Sequence, residues 1–295
     1  MPNASAKVDP SASFERLMSA AGNLPARAKI ASLLRAAFDA AHFIEVETPV
    51  GILAPAAEEY IEAPRTEDGF FLRTSPELQM KRLLAAGMDR IYQIGPCFRD
   101  GEKGTRHNPE FTMIEWYRRN ATYEDIAVDL SDLFATLAPD AGRPERITVR
   151  EAYRRYAGWD PWVSWNQDRF DFDMATRIEP SLPKGPVFLT DYPREVCSLA
   201  KVRGDIAERW EFYWQGVELA NCFTELCDGD EQRHRFEVAR EERRILGESD
   251  YPLDEAFLKE LPQIGSAAGV ALGVDRLAML LCGAKSISDV MACVV

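Results

Sequence analysis

Apolar residues recur at helical spacing in some stretches of the chain and alternate with polar ones in others, and the switches between the two patterns mark out its elements. Within residues 24–43, Ile30, Leu33, Leu34, Ala37 and Phe38 fall on one helix face, and the following run Glu45-Val46-Glu47-Thr48-Pro49 is a strand closed by proline. A strand at Phe70–Arg73 leads to Ser75-Pro76-Glu77, which has the N-cap and first-turn chemistry of a helix continuing through Leu78–Ala86. Strands are expected at Arg90–Ile94 and around Cys97–Asp100. The polar turn 101–109 then joins the latter, hairpin fashion, to a strand at Glu110–Tyr117. Alternation puts Phe111, Met113, Glu115 and Tyr117 on one face of that strand. A helix spans 122–138, and residues 157–186 form an irregular insertion of turns and short helices around Trp159, Trp162 and Trp165. Strands return at Val187–Thr190, Glu208–Trp214 and Glu218–Leu226, and a charged helix covers 230–246. Residues 269–281 read as a buried strand, a glycine turn and an apolar helix. Hairpin-linked strands outnumber what a βαβ alternation needs, so the fold class is α+β with a mainly antiparallel sheet flanked by helices.

At 295 residues with 46% hydrophobic and 28% charged content, the chain can bury a substantial core as one large domain or two small ones. Its Ala-, Ser- and Pro-rich start has no apolar run. Residues 1–23 are therefore expected to be a flexible lead rather than a signal peptide, with the catalytic unit spanning 24–295. No stretch approaches the roughly 20 apolar residues that cross a bilayer. The six cysteines form no CxxC pair and the three histidines are scattered, which points to a reducing compartment, no zinc site, and buried thiols at Cys222 and Cys227. A net charge of −13 is the opposite of what long nucleic acids favour, although it leaves room for a local basic patch.

Three groups of residues carry candidate chemistry. Arg99 and Arg106 flank a hairpin that also holds His107 and Phe111; arginines clamp phosphate oxygens and an aromatic face stacks on a purine. Glu211, Glu218 and Glu225 are an acidic set. Asn221, Phe223 and Glu225 share a strand face, whereas Glu218 is out of phase and needs a bulge to join them. Carboxylates beside a triphosphate suit Mg²⁺. Asp275-Arg276 follows Gly273 at the start of the last helix. Taken singly, each has an ordinary alternative: a solvated hairpin arginine, a surface carboxylate, a helix cap.

In this order the three groups resemble the signature motifs of class II aminoacyl-tRNA synthetases, most closely the lysyl enzymes, over residues from about 24 to about 290. Arg99 with Arg106-His107-Asn108-Pro109-Glu110-Phe111 resembles motif 2, and Gly269 to Arg276 resembles motif 3. Glu218 to Leu226 resembles the lysine-binding strand. Glu45 to Pro49 resembles motif 1, whose proline lies at a dimer interface in that family. The resemblance implies an ATP-dependent ligase in which Arg99 binds the α-phosphate, Phe111 stacks on adenine, and Arg106 and Arg276 hold the outer phosphates. His107 would assist electrostatically. Glu211 and Glu218 would bind Mg²⁺, and Glu77, Glu115, Tyr117, Asn221, Phe223 and Glu225 would form the amino-acid pocket. Ser75, Ala271 and the Glu-Leu-Ala-Asn strand resemble the elongation factor P lysine ligases (EpmA, PoxA or GenX) more than the tRNA enzymes.

That likeness implies cytoplasmic transfer of lysine or (R)-β-lysine to a lysine of elongation factor P, by a homodimer. With about 23 residues before the first catalytic helix, an anticodon-binding domain and tRNA as acceptor are not expected. Charging of tRNA or another carrier, and a non-catalytic paralogue that binds a ligand or partner, are the alternatives. Two departures stand out. Arg99 is followed by Asp100-Gly101-Glu102, which moves the motif's glutamate by one, and Cys222 replaces a glycine beside the pocket residues, where it is expected to reshape the site.

Overall fold

A computed structural model describes residues 10–58 and 61–292. In chain order the helices are α1 (Pro10–Ala21), α2 (Leu24–Ala40), α3 (Glu77–Ala85), α4 (Tyr123–Leu137), α5 (Val149–Ala152), α6 (Gln167–Asp173), α7 (Glu179–Ser181), α8 (Gly229–Leu246), α9 (Glu255–Glu260) and α10 (Val274–Leu281). The strands are β1 (Ile44–Glu45), β2 (Gly51–Ile52), β3 (Phe71–Leu72), β4 (Arg90–Phe98), β5 (Glu110–Arg119), β6 (Glu145–Thr148), β7 (Val187–Pro193), β8 (Val202–Arg203), β9 (Ile206–Trp214), β10 (Val217–Thr224) and β11 (Ala267–Gly273).

Nine strands make one sheet in the order β1-β4-β5-β11-β10-β9-β7-β6, with β8 paired to β9. Only β1–β4 and β6–β7 run parallel within it; the other pairs are antiparallel, as the hairpin spacing required. Register alone sorts the side chains. Tyr92, Trp116, Val270, Cys222 and Trp210 are directly opposite one another across five strands, and all five are buried in the main core, against α2, α4 and α10. Ile91, Tyr117, Gly269, Phe223 and Arg209 form a row on the other face, and Gln93, Glu115, Ala271, Asn221 and Glu211 a second. Successive strand residues point to opposite faces, so the polar residues of these two rows are sent to the side away from the main core.

Two smaller cores flank that polar face. The irregular segment after β6 folds into α5, α6, α7 and two wide helical turns, burying Tyr153, Phe170 and Ile178 against Leu189, Ala207 and Tyr213. On the other side, α3, α8 and α9 bury Leu78, Met80, Phe236 and Phe257 against Ile91 and Tyr117. The space between them is the site.

Three expectations are corrected. The lead expected over residues 1–23 contains α1, whose Ala20 is buried, and the Asn23 side chain just beyond it donates to the Asp289 carbonyl at 3.0 Å. Pro10 sits where a missing N–H costs a helix nothing, and the alanines that follow favour helix. Residues 1–9 lie outside the described residues. The two strands expected around Gly95-Pro96 are one, β4. Beyond Ile91 and Tyr92, which β1 covers, no described strand pairs with its outer side, where the Pro96 carbonyl accepts from the Arg73 side chain, so a residue without an N–H is tolerated there. Cys222 faces the main core at 0% exposure, opposite Trp210 and Val270, and does not touch the pocket.

Candidate active site

Fifteen of the sixteen residues named from the sequence line one cavity of 220 Å³: Ser75, Glu77, Arg99, Glu102, Arg106, His107, Phe111, Glu115, Tyr117, Glu218, Asn221, Phe223, Glu225, Ala271 and Arg276. Glu211 does not line it; it lies behind Asn221, its register partner on β9. The bulge that Glu218 required is present. Glu218 pairs with Tyr213 and Ala220 with Phe212, so one extra residue, Leu219, brings Glu218 into phase with Asn221 and Phe223.

One end of the cavity is cationic. The Arg99 guanidinium lies 5.2 Å from the centre of the Phe111 ring, with Glu102 3.5 Å from its Nη1. The displaced glutamate therefore does reach the motif's arginine. Arg276 donates to the Glu218 carbonyl at 3.0 Å, to the Arg106 carbonyl at 3.3 Å and to His107 Nε2 at 2.7 Å, tying α10 to the β4–β5 turn. Burial and the Arg276 charge hold His107 below its ordinary pKa, so at neutral pH the imidazole is uncharged. The help expected of it is then a hydrogen bond to Arg276, not a second positive charge. Asp275 clamps the same corner: its Oδ2 accepts from the Thr112 amide at 2.6 Å and its Oδ1 from Arg27 at 2.7 Å.

The other end is acidic. Glu115 accepts from Ser75 Oγ at 2.6 Å and from Tyr117 at 2.8 Å, and Ser75 in turn accepts from the Glu77 amide at the start of α3 at 2.9 Å. Lys81, with a fully buried side chain, lies 2.5 Å from both Glu77 Oε1 and Glu225 Oε2. Burial alone would lower the lysine's pKa, but Glu225 and Glu77 outweigh it and hold it above its ordinary value. One ammonium cannot neutralise three acids. Burial, opposed by Lys81 and reinforced by Glu77, pushes Glu225 up to about 8, and burial with Glu77 pushes Glu115 up to about 7. Although Glu225 Oε2 is close to Lys81, the angle is wrong for a hydrogen bond, and this buried oxygen accepts none.

Glu211 is held by Arg209 at 2.6 Å and by the hydroxyls of Tyr192 at 2.6 Å and Tyr213 at 2.7 Å. Glu218 is pushed up to about 7 by burial and by the negative charge of Glu211. No cluster of three or more His, Cys, Asp or Glu suited to a metal exists among the described residues. Glu218 alone of the two faces the cavity, and it fits Mg²⁺ bound largely through phosphate oxygens, which uses only one or two carboxylates; Glu211 beside it is already engaged by Arg209, Tyr192 and Tyr213. Four residues with a hand in the site were not named from the sequence: Glu58 in the cavity wall, Lys81 beneath it, Arg209 beside Phe223, and Arg73, which donates to the Thr48 and Pro96 carbonyls and seats the strand entering the site.

Comparison with known proteins accords with this geometry. Residues 13–293 match the family of tRNA synthetases class II (D, K and N). The chain is 38% identical to the elongation factor P–(R)-β-lysine ligase of Photorhabdus laumondii over 92% of its own length and 95% of the relative's. Proteins of the same name from Haemophilus influenzae and Proteus mirabilis are each 37% identical, over 92% of this chain and 94% of theirs.

Proposed function

The chain belongs to the class II tRNA synthetase family (D, K and N), and from that premise we propose that it is an ATP-dependent ligase that activates lysine or (R)-β-lysine and transfers it to a lysine side chain of elongation factor P. The observation that carries this is one cavity with a cationic end at Arg99, Arg106 and Arg276, beside Phe111, and an acid end closed by Glu225. The names of the relatives supply the acceptor.

In this reading Phe111 stacks on adenine with Glu102 beside Arg99, and Arg106, His107 and Arg276 hold the β- and γ-phosphates. Glu225, Glu115 and Tyr117 receive the distal ammonium, with Asn221 and Phe223 along the aliphatic stem and Ser75, Glu77 and Ala271 at the near end. A carboxylate oxygen of the substrate attacks the α-phosphorus in line, the bond to the β-phosphate oxygen breaks, and pyrophosphate leaves. Arg99 neutralises charge developing on the α-phosphate. The acceptor amine then attacks the acyl carbon; an amide forms, AMP departs, and the amine gives up its proton. Glu218, with Glu211 behind it, would hold Mg²⁺, which when bound neutralises charge on the phosphates. Specificity follows from burial, since an amino acid lacking the distal ammonium leaves Glu225 unpaired at a cost of several kcal/mol.

No helix of the described residues is long and apolar enough to cross a membrane. A cytoplasmic homodimer with Pro49 at the two-fold contact completes the proposal, and a monomer by light scattering would remove that part. The central test is ATP–pyrophosphate exchange with α-lysine and (R)-β-lysine, followed by intact-mass analysis of elongation factor P. Exchange together with a lysyl mass gain is expected; no exchange with either amino acid would sink the proposal.

A further inference from the structure

Behind the cavity wall, one cation touches Asn221, Phe223 and Glu211 without lining the cavity itself. It is Arg209, which the register of β9 on β10 sets opposite Phe223, while Glu211 stands opposite Asn221. Its guanidinium uses a separate nitrogen for each partner. Nε donates to Asn221 Oδ1 at 3.2 Å, Nη2 to Glu211 Oε1 at 2.6 Å and Nη1 to the Val196 carbonyl at 3.2 Å. The same group lies 4.4 Å from the centre of the Tyr192 ring and 5.7 Å from that of Phe223.

The bond to Asn221 decides which half of that amide the cavity meets. An amide side chain carries an acceptor oxygen and a donor NH₂, and its two ends exchange by a flip. Arginine only donates, so it can hold only the oxygen. No other described residue bonds to the Asn221 side chain, and Asn221 lines the cavity. With Oδ1 taken from behind, Nδ2 is the half left for a ligand. Glu211, by contrast, also accepts from the Tyr192 and Tyr213 hydroxyls, so Arg209 is not its sole support. A lysine in place of Arg209 keeps a positive charge near Glu211, but its compact ammonium lacks the planar fork that reaches all of these acceptors together.

We propose that Arg209 is a positioning residue of the amino-acid pocket: it locks the Asn221 amide with its donor toward the cavity, and it does so from outside the cavity. The proposal rests on the reading of the cavity as the site of lysine activation. A counter-ion serving Glu211 alone would need only the charge, whereas this role needs the bond to Asn221.

The test is a double-mutant cycle in ATP–pyrophosphate exchange. Arg209→Lys is expected to raise the KM for lysine roughly tenfold, the worth of one hydrogen bond to a charged group, and to leave the ATP KM within about twofold. In an Asn221→Ala background the same change should add less than about twofold, because both substitutions act through one amide. An equal factor in the two backgrounds, or an ATP KM that rises as much as that for lysine, would overturn the assignment. A second arm leaves Arg209 in place and so does not depend on Arg209→Lys folding. Asn221→Asp keeps an acceptor for Arg209 but turns an oxygen to the cavity, and should raise the lysine KM at least as much as Asn221→Ala does. A lysine KM nearer the wild type in the aspartate variant than in the alanine variant would show that the cavity uses the oxygen, and the proposal would fail. A wild-type protein inert toward both lysines would instead remove the activity on which the proposal rests.

Discussion

Lys81 is the counter-ion on which the acid end of the cavity depends, and Lys81→Met isolates that role because methionine nearly matches the length of the apolar stem. The side chain is fully buried and lies 2.5 Å from each of two carboxylates. Deleting one partner of a buried pair costs about 3–5 kcal/mol, and here Glu77 and Glu225 lose the same cation. The loss has a characteristic pH dependence. Burial raises Glu225 from 4.5 to about 8, so the native wild type keeps a proton that the unfolded chain releases, and its stability falls as pH rises between those values. Without Lys81 the strongest opposing attraction is gone and Glu225 titrates higher still. Above pH 8 the variant's native state goes on holding a proton that the wild type has lost, and the deficit widens by about 1.4 kcal/mol per pH unit. Lys81 itself, held above 10.5, stays charged throughout this window. Urea unfolding should therefore give a deficit of about 3 kcal/mol at pH 7 and roughly 2 kcal/mol more by pH 9.5. A deficit under about 1 kcal/mol, or one that shrinks as pH rises, would refute the counter-ion argument.

Gly269 has no room for a methyl group: a Cβ there would sit 2.1 Å from a Tyr117 ring carbon and 2.8 Å from Glu225 Oε1. Gly269→Ala should cost about 1–3 kcal/mol in thermal unfolding and raise the lysine KM by more than the ATP KM; an equal rise in both would count against a local effect. Asp275→Asn removes the charge that Arg27 meets and leaves a single side-chain oxygen to accept from both Arg27 and the Thr112 amide, and should lower stability by about 2–4 kcal/mol in urea titrations while sparing the lysine KM. Because the distal ammonium requires ionised Glu225, the lysine KM should fall about tenfold per pH unit from pH 6 to about 8 and then level off. In Glu225→Gln it should be raised, with any remaining slope confined to pH below about 7, where Glu115 titrates; a slope that persists to pH 8 in that variant would place the titration elsewhere.

The strands that build the site were legible because their chemistry obeys parity. Phe111, Glu115 and Tyr117 share a face by simple alternation, and the out-of-phase position of Glu218 amounted to a prediction of the bulge between Glu218 and Ala220. The same parity was available for Cys222, an even-numbered neighbour of the odd-numbered Asn221 and Phe223, and it places the thiol in the main core. Arg209 too could have been found this way, since it alternates with Glu211 and stands opposite Phe223. Lys81 could not. A lysine four residues after a glutamate is the usual mark of an exposed helix pair, and only the packing of α3 under the sheet shows this one to be interior. Glu58 lies in an Ala- and Pro-rich connection without periodicity, where nothing in the local pattern says which way a carboxylate turns. The helix α1 was obscured by composition: alanine, serine and proline read as a lead until their neighbours show a surface to pack on.

The charge balance of the cavity explains why so many of its acids are reluctant to ionise. Glu115, Glu218 and Glu225 are each raised to between about 7 and about 8, with burial the largest cause and a neighbouring acid contributing every time. A structure held together for its own stability would pair such groups or replace them with apolar residues. Here one lysine at one end serves both Glu77 and Glu225, and at the other Glu218 stands near the negative charge of Glu211, so both ends hold carboxyls raised above their ordinary values. Those are the places where a distal ammonium and a divalent cation would each be bound. The native fold thus carries a standing electrostatic cost that its ligands remove, and binding is selective because a ligand with fewer positive charges removes less of it.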